Sequence, residues 1–323
     1  MKLSNKTIRK FFRGAVYFEE KNGYLTPYRY SKKQLDRMND ESYDWGWRMR
    51  GKFSGTVRME LKTDAEAVSF DYRADYSHEL ANTIDLYVND VLTSVYKIGE
   101  KLKGRVELPL PQGKKKITIY FPCESKLEIK NFTLVNGGYE AIKPKRRKLL
   151  ILGDSITQGA GVEISSSAYA NVLSREIDYD ILAQGIGGYR FEPCDLMKID
   201  GFEPEKIIVF LGTNYYEKSC EERGFFYEKA VNEYYDKLSE LFGDTPVIAI
   251  TPLWRNNDVD FERLAWCTTK IKESCSKHKQ ITVVDGFELV PCVDECFSDK
   301  VHPNAYGATL LAQSIRKIIE KQK

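Results

Sequence analysis

The alternation of short apolar runs with helical segments that begins at Leu149 constrains this chain more than any other feature. Leu149–Leu152, Ile181–Ala183, Ile207–Leu211, Val247–Ile250 and Ile281–Val284 read as strands. Helical segments lie between and after them, near Ala168–Ile177, Phe225–Leu241, Phe261–His278 and Ala305–Ile319. In the third, Phe261, Leu264, Ala265, Thr268, Ile271 and Cys275 recur at helical spacing and define one apolar face. Such alternation predicts a parallel sheet with helices on both sides, a three-layer α/β/α domain. In such sheets ligands bind at the carboxyl ends of the strands, so the residues that follow each strand carry the functional argument.

The preceding stretch has a different rhythm. Ile84, Leu86 and Val88 alternate with polar neighbours, Asn89-Asp90 sits where a two-residue turn belongs, and Leu92–Ile98 returns as the partner strand. Arg105–Leu110 and Ile117–Phe121 flank Pro111-Gln112-Gly113 and predict a second hairpin. Tyr43–Met49, Thr56–Leu61, Val68–Tyr72 and Leu127–Leu134 are further strand candidates, with one helical turn near Lys32–Met38. About seven short strands with little helical pattern predict a β-sandwich of jelly-roll type. The boundary falls in residues 136–148, where Asn136-Gly137-Gly138 and the basic run Lys143–Lys148 read as a solvated linker. The division is therefore 1–145, an accessory β domain, and 146–323, an α/β domain.

With 49 basic and 47 acidic side chains, the chain lacks the excess charge that nucleic acid or an anionic membrane surface would attract. No apolar run approaches the ~18–20 residues that span a bilayer. The first ten residues are not followed by the apolar stretch of a secretory signal. The seven cysteines are an odd number, spread widely, which fits reduced thiols and a cytoplasmic location. Cys292 and Cys296 form the closest pair, but no second pair or neighbouring histidine completes a metal site, and none is expected.

The first α/β strand ends in Gly153-Asp154-Ser155-Ile156-Thr157-Gln158-Gly159. Ser155 can cap the helix that follows, or present its hydroxyl and backbone N–H at the sheet edge. The second strand ends in Gly185-Ile186-Gly187-Gly188, where bare glycines let a backbone N–H approach a ligand. The third ends in Gly212-Thr213-Asn214; the asparagine either closes a turn or aims its amide at an oxygen near Ser155. Of the three histidines, His78, His278 and His302, only His302 has a carboxylate three residues earlier. Asp299 can then reach the imidazole Nδ1–H, fix the tautomer and leave Nε2 to take a proton from Ser155.

These blocks resemble the SGNH, or GDSL-type, hydrolase family over about residues 148–320. The resemblance implies that Ser155 is the nucleophile, His302 the general base and Asp299 its orienter. It also implies an oxyanion hole formed by the N–H of Ser155, the N–H of Gly188 and the amide of Asn214, with Gly188 preferred over Gly187. No cofactor is implied. The sandwich ahead of the hydrolase, with Asp44–Trp47 and Phe53–Val57, is similar to carbohydrate esterase family 2. That similarity implies removal of acetyl groups from carbohydrates such as xylo- or manno-oligosaccharides, a small acetylated carbohydrate being the partner.

Trp254 and Arg255, after the fourth strand, are candidates for stacking on a sugar and bonding its hydroxyls; Trp254 can equally pack a domain interface. Tyr189 and Tyr215 are candidate walls of the acyl pocket. Trp45 and Trp47, two apart, are expected on one face of a strand. Competing readings are a lysophospholipase or thioesterase with the same triad, which needs an apolar groove, and a non-catalytic carbohydrate-binding protein.

Overall fold

The computed structural model describes residues 1–76, 79–99, 102–215, 226–257 and 260–322; His78 and Cys220 lie outside them. Helix α1 (Asn5–Ile8) precedes strands β1 (Phe12–Arg13), β2 (Tyr17–Lys21) and β3 (Tyr24–Tyr28), then helices α2 (Lys32–Met38) and α3 (Trp45–Arg50). Eight strands follow: β4 (Arg58–Thr63), β5 (Ala67–Ala74), β6 (Thr83–Val88), β7 (Val91–Lys97), β8 (Lys103–Pro109), β9 (Lys115–Tyr120), β10 (Leu127–Val135) and β11 (Tyr139–Ala141). They form two antiparallel sheets, β1-β4-β9-β6-β7 with β11 added to β4, and β2-β3-β10-β5-β8. Met59, Leu61, Ile84, Leu86, Ile117 and Ile119 of the first sheet meet Leu25, Val68, Phe70, Val106 and Ile129 of the second in one core. This is a jelly-roll sandwich. Alternation puts one side of each strand inward, which is what the period-2 pattern requires.

Three expectations for this part need correction. Arg105–Leu110 and Ile117–Phe121 do not form a hairpin: β8 pairs with β5 in one sheet and β9 with β4 and β6 in the other. The connection crosses between sheets, held by Lys115, whose Nζ donates to the carbonyls of Ala65 and Pro111. Tyr43–Met49 is not a strand. Asp44 accepts the Trp47 N–H and caps α3, so Trp45 and Trp47 leave a helix in different directions. Trp45 is 71% exposed, whereas Trp47 packs edge-on against Tyr189. The basic run is not merely solvated, because Lys145 donates to the carbonyls of Ser174 and Ile177. The expected turn at Asn89-Asp90 does form, both residues having positive φ as a tight hairpin demands.

The remaining elements are β12 (Lys148–Gly153), α4 (Ser155–Gln158), α5 (Tyr169–Glu176), β13 (Asp180–Gly185), β14 (Lys206–Phe210), α6 (Tyr227–Phe242), β15 (Val247–Ile250), α7 (Phe261–Cys275), β16 (Ile281–Val284) and α8 (Ala305–Lys321). The strands are parallel in the order β13-β12-β14-β15-β16. Leu149 and Ile151 face α5 and α8, while Leu150 and Leu152 face α6 and α7. Burial on both faces explains why β12 reads as an unbroken apolar run. Each such side chain contributes about 1.5–3 kcal/mol relative to exposure. No helix among the described residues is long and apolar enough to cross a membrane.

The two parts share a core. Tyr28, Tyr30, Leu35 and Met38 pack with Leu182, Ile186 and Tyr189 of the α/β part. Arg29, wholly buried, donates to the carbonyls of Phe53 and Arg50 on one side and of Ala183 and Gly185 on the other.

Candidate active site

Ser155 is the first residue of α4, separated from the end of β12 by Asp154 alone. Gly153 makes that turn possible, because a Cβ there would stand 2.1 Å from the Thr157 hydroxyl. Asp154 caps α4 by accepting the Ile156 N–H. The Ser155 N–H, at the first helical position, has no acceptor within the helix.

Residues 298–304 bring the imidazole to this turn. Asp299 Oδ1 accepts the N–H groups of Val301 and His302, a tight loop that carries Lys300 at φ 65°. Its Oδ2 lies 2.7 Å from His302 Nδ1, and His302 Nε2 lies 2.7 Å from Ser155 Oγ. Partial burial alone would raise the Asp299 carboxyl. The imidazole bond and the two backbone N–H groups outweigh it and hold the group well below the usual carboxylate range. Asp299 is therefore an acceptor throughout the neutral and mildly acidic range, and Nδ1 carries the proton facing it. Gly161 presses on the other side: a Cβ there, at φ 90°, would fall 2.5 Å from the His302 Cβ. The sequence reading did not single out Gly161, although it stands two residues beyond the Gly153–Gly159 block.

The donors converge on the same cleft, lined by Ser155, Gln158, Gly161, Gly188, Asn214 and His302 among others. Gly187 donates its N–H to Gln158 Oε1 at 2.8 Å, which engages that glycine and leaves Gly188, at φ 77°, as the candidate donor. Asn214 also lines the cleft and donates from Nδ2 to the carbonyl of Tyr189 at 2.9 Å, a bond that fixes its amide. Gln158 also donates to Glu124 of the sandwich, tying the serine helix to the other part of the chain.

The four residues expected to bind substrate do not line this cleft. Trp254 packs on Phe297 with ring centroids 5.5 Å apart. Arg255 is buried, its guanidinium donating to Thr213 and Asn257. The Tyr189 hydroxyl donates to Asp195, and the Tyr215 hydroxyl accepts the N–H of Phe191. All four hold strand-end loops in place. The sequence reading missed Arg50, Leu80 and Glu124, which the sandwich part contributes to the cleft. His278 bonds Ser239 far from the dyad. Among the described residues no cluster of three or more metal-ligating side chains occurs.

Asp154 yields a testable consequence of burial. Desolvation pushes its carboxyl up to about 6, against the pull of the Ile156 N–H and of His302. The folded state then holds a proton that the unfolded state, titrating near 4, has released. Stability from this group accordingly falls as pH rises from about 4 to 6 and stays reduced above. Asp154→Asn keeps an acceptor for Ile156 and removes that loss. We expect the variant to gain up to about 3 kcal/mol over wild type at pH 8 and almost nothing at pH 4. Urea midpoints at the two pH values check this; an equal change at both would reject it.

Residues 151–310 match the family described as GDSL-like lipase/acylhydrolase. No curated protein matches by sequence. Among solved structures, salicylyl-acyltransferase SsfX3 from a tetracycline biosynthetic pathway is 19% identical, with a TM-score of 0.75, covering 100% of this chain and 97% of its own. A family two carbohydrate esterase from Clostridium thermocellum is 16% identical, with a TM-score of 0.66, covering 84% and 93%. An acetyl xylan esterase from the rumen bacterium Butyrivibrio proteoclasticus is 16% identical, with a TM-score of 0.61, covering 84% and 91%. These likenesses establish a shared two-part fold.

Proposed function

We propose that this chain, whose residues 151–310 carry a GDSL-like lipase/acylhydrolase domain, is a serine esterase acting through an acyl-enzyme on Ser155. The observation that carries the reading is the unbroken path from Ser155 Oγ to His302 Nε2 and from His302 Nδ1 to Asp299, 2.7 Å at each step. Ser155 Oγ attacks the acyl carbonyl as Nε2 takes its proton. Negative charge develops on the carbonyl oxygen, where the N–H groups of Ser155 and Gly188 and the Asn214 amide stabilise it, each donor contributing about 3–4 kcal/mol. The imidazolium returns its proton to the departing alcohol. Water, deprotonated by the same nitrogen, then releases the acid and frees Ser155.

The substrate class we propose is small acetyl esters of carbohydrates, such as acetylated xylo- or manno-oligosaccharides. Two observations support it: the fold shared with enzymes named as carbohydrate esterases, and a cleft in which residues with polar side chains outnumber those with aliphatic ones. Leu80 and Ala160 are the aliphatic side chains among its described lining residues, which offers little to a long acyl chain. This favours acetate over the fatty acyl groups of a lysophospholipase or thioesterase. On 4-nitrophenyl esters, kcat/KM for acetate should exceed that for octanoate by at least about tenfold. A preference for octanoate would reverse the substrate reading, and no turnover of any ester would favour a binding protein.

The free thiols of Cys123, Cys194, Cys267, Cys275, Cys292 and Cys296 support work in a reducing compartment such as the cytoplasm. Fractionation of the native host checks this.

A further inference from the structure

We infer that α3 builds an anion-binding subsite on the Gly187–Gly188 turn, so that the preferred ester carries a carboxylate beside the scissile bond. The inference rests on the esterase reading and narrows its substrate. Arg50, the last residue of α3, reaches across from the sandwich part and lines the cleft that holds Ser155 and His302. Its side chain lies against the turn: a Cβ on Gly187 would stand 2.8 Å from Arg50 Cδ, and Nη1 donates to the Gly187 carbonyl at 3.3 Å. This half-buried guanidinium forms no ion pair among the described residues. The cleft carboxylates are engaged elsewhere, Glu124 by Gln158 and Asp299 by His302. Nearby Arg37, by contrast, has its carboxylate, Asp195.

Three residues earlier on the same helix, the Trp47 indole packs on Tyr189 with Nε1 3.6 Å from where a Cβ on Gly188 would stand. An indole N–H and a guanidinium only donate. Two such groups beside the turn that carries Gly188 call for an acceptor, and a guanidinium with most of its five N–H groups uncommitted suits a carboxylate best. On the alcohol portion this carboxylate describes an acetylated acidic sugar; on the acyl portion it describes a hemiester of a dicarboxylic acid.

Two pairs of esters distinguish these sources. 4-Acetoxybenzoate against 4-acetoxybenzamide places the charge on the alcohol portion. 4-Nitrophenyl hemisuccinate against 4-nitrophenyl butyrate places it on the acyl portion. In wild type, kcat/KM for the charged member of one pair should exceed its neutral partner by about 10–100-fold after correction for spontaneous hydrolysis, chiefly through KM. R50Q should bring that ratio close to one and R50K should retain part of it. Ratios near one in both pairs, or an R50Q loss equal for charged and neutral esters, would overturn the subsite while leaving the esterase intact. If no neutral or charged ester is hydrolysed, the esterase reading falls and the subsite with it.

Discussion

Ser155→Ala and His302→Ala should each lower kcat for 4-nitrophenyl acetate by about 10⁵–10⁶-fold, and the double variant should be no slower than either. The reason is geometric. A hydroxyl is a weak nucleophile until its proton has somewhere to go, and the nitrogen 2.7 Å from Ser155 Oγ is where it goes. Remove either partner and the other has nothing to do, so the losses do not add. Residual rate over background comes from the donors that remain. Asp299→Asn should lose about 10⁴-fold, because an amide facing Nδ1 permits the wrong tautomer. Two carboxylates that lie between β16 and Asp299 are committed elsewhere: Asp285 is bound by Lys272, and Asp294 accepts from Asn256. Steady-state kinetics at saturating ester give these values. A Ser155→Ala enzyme retaining a hundredth of wild-type kcat would remove Ser155 from the nucleophile's place, and near-normal Asp299→Asn would remove Asp299 from the orienter's.

How far the sequence foretold this arrangement depends on how local each feature is. Strands β12, β14 and β15 were legible because a sheet covered on both faces demands continuous apolar residues, a pattern few other structures produce. Ser155 and Asn214 stand out because strand ends in such a sheet are where chemistry collects, and His302 because a carboxylate precedes it by three residues. The sandwich was harder. Strand β2 is an exposed edge, Tyr-Phe-Glu-Glu-Lys, with no buried side to impose alternation. Strands β8 and β9 alternate as hairpin partners would, and a short connection crossing between sheets has the same local signature as one turning within a sheet. Trp45-Gly46-Trp47 imitates a strand, yet Asp44 in front of it is an equally good helix cap. The substrate side chains failed for a different reason. Position beside a strand end says where a backbone goes and not where a side chain turns, so Tyr189, Tyr215, Trp254 and Arg255 turn toward protein. Arg50 and Glu124 reach the cleft from more than thirty residues before Ser155, through packing that no spacing rule encodes.

That packing turns on Arg29, and Arg29→Met should cost about 3–5 kcal/mol of stability. Its guanidinium is fully buried and has no carboxylate bonded to it among the described residues; burial lowers its pKa, with Tyr30, Cys123 and Glu124 opposing. Its charge is solvated by carbonyl dipoles: Phe53 and Arg50 from the sandwich part, Ala183 and Gly185 from the end of β13. Methionine fills similar volume and donates nothing, so buried carbonyls that had partners lose them. Lysine fares little better, since one ammonium cannot meet four acceptors spread around a planar fork. Two of those carbonyls lie within five residues of Gly188 and a third belongs to Arg50, so the variant should loosen the oxyanion turn as well as the fold. We therefore expect a Tm lower by about 4–7 °C, together with a fall in kcat at temperatures where the variant is still folded. Calorimetry and near-UV circular dichroism measure the first, and kinetics at 15 °C the second. A loss under 1 kcal/mol with unchanged kcat would mean that the shared apolar core alone joins the two parts and that the sandwich is a passenger on the enzyme.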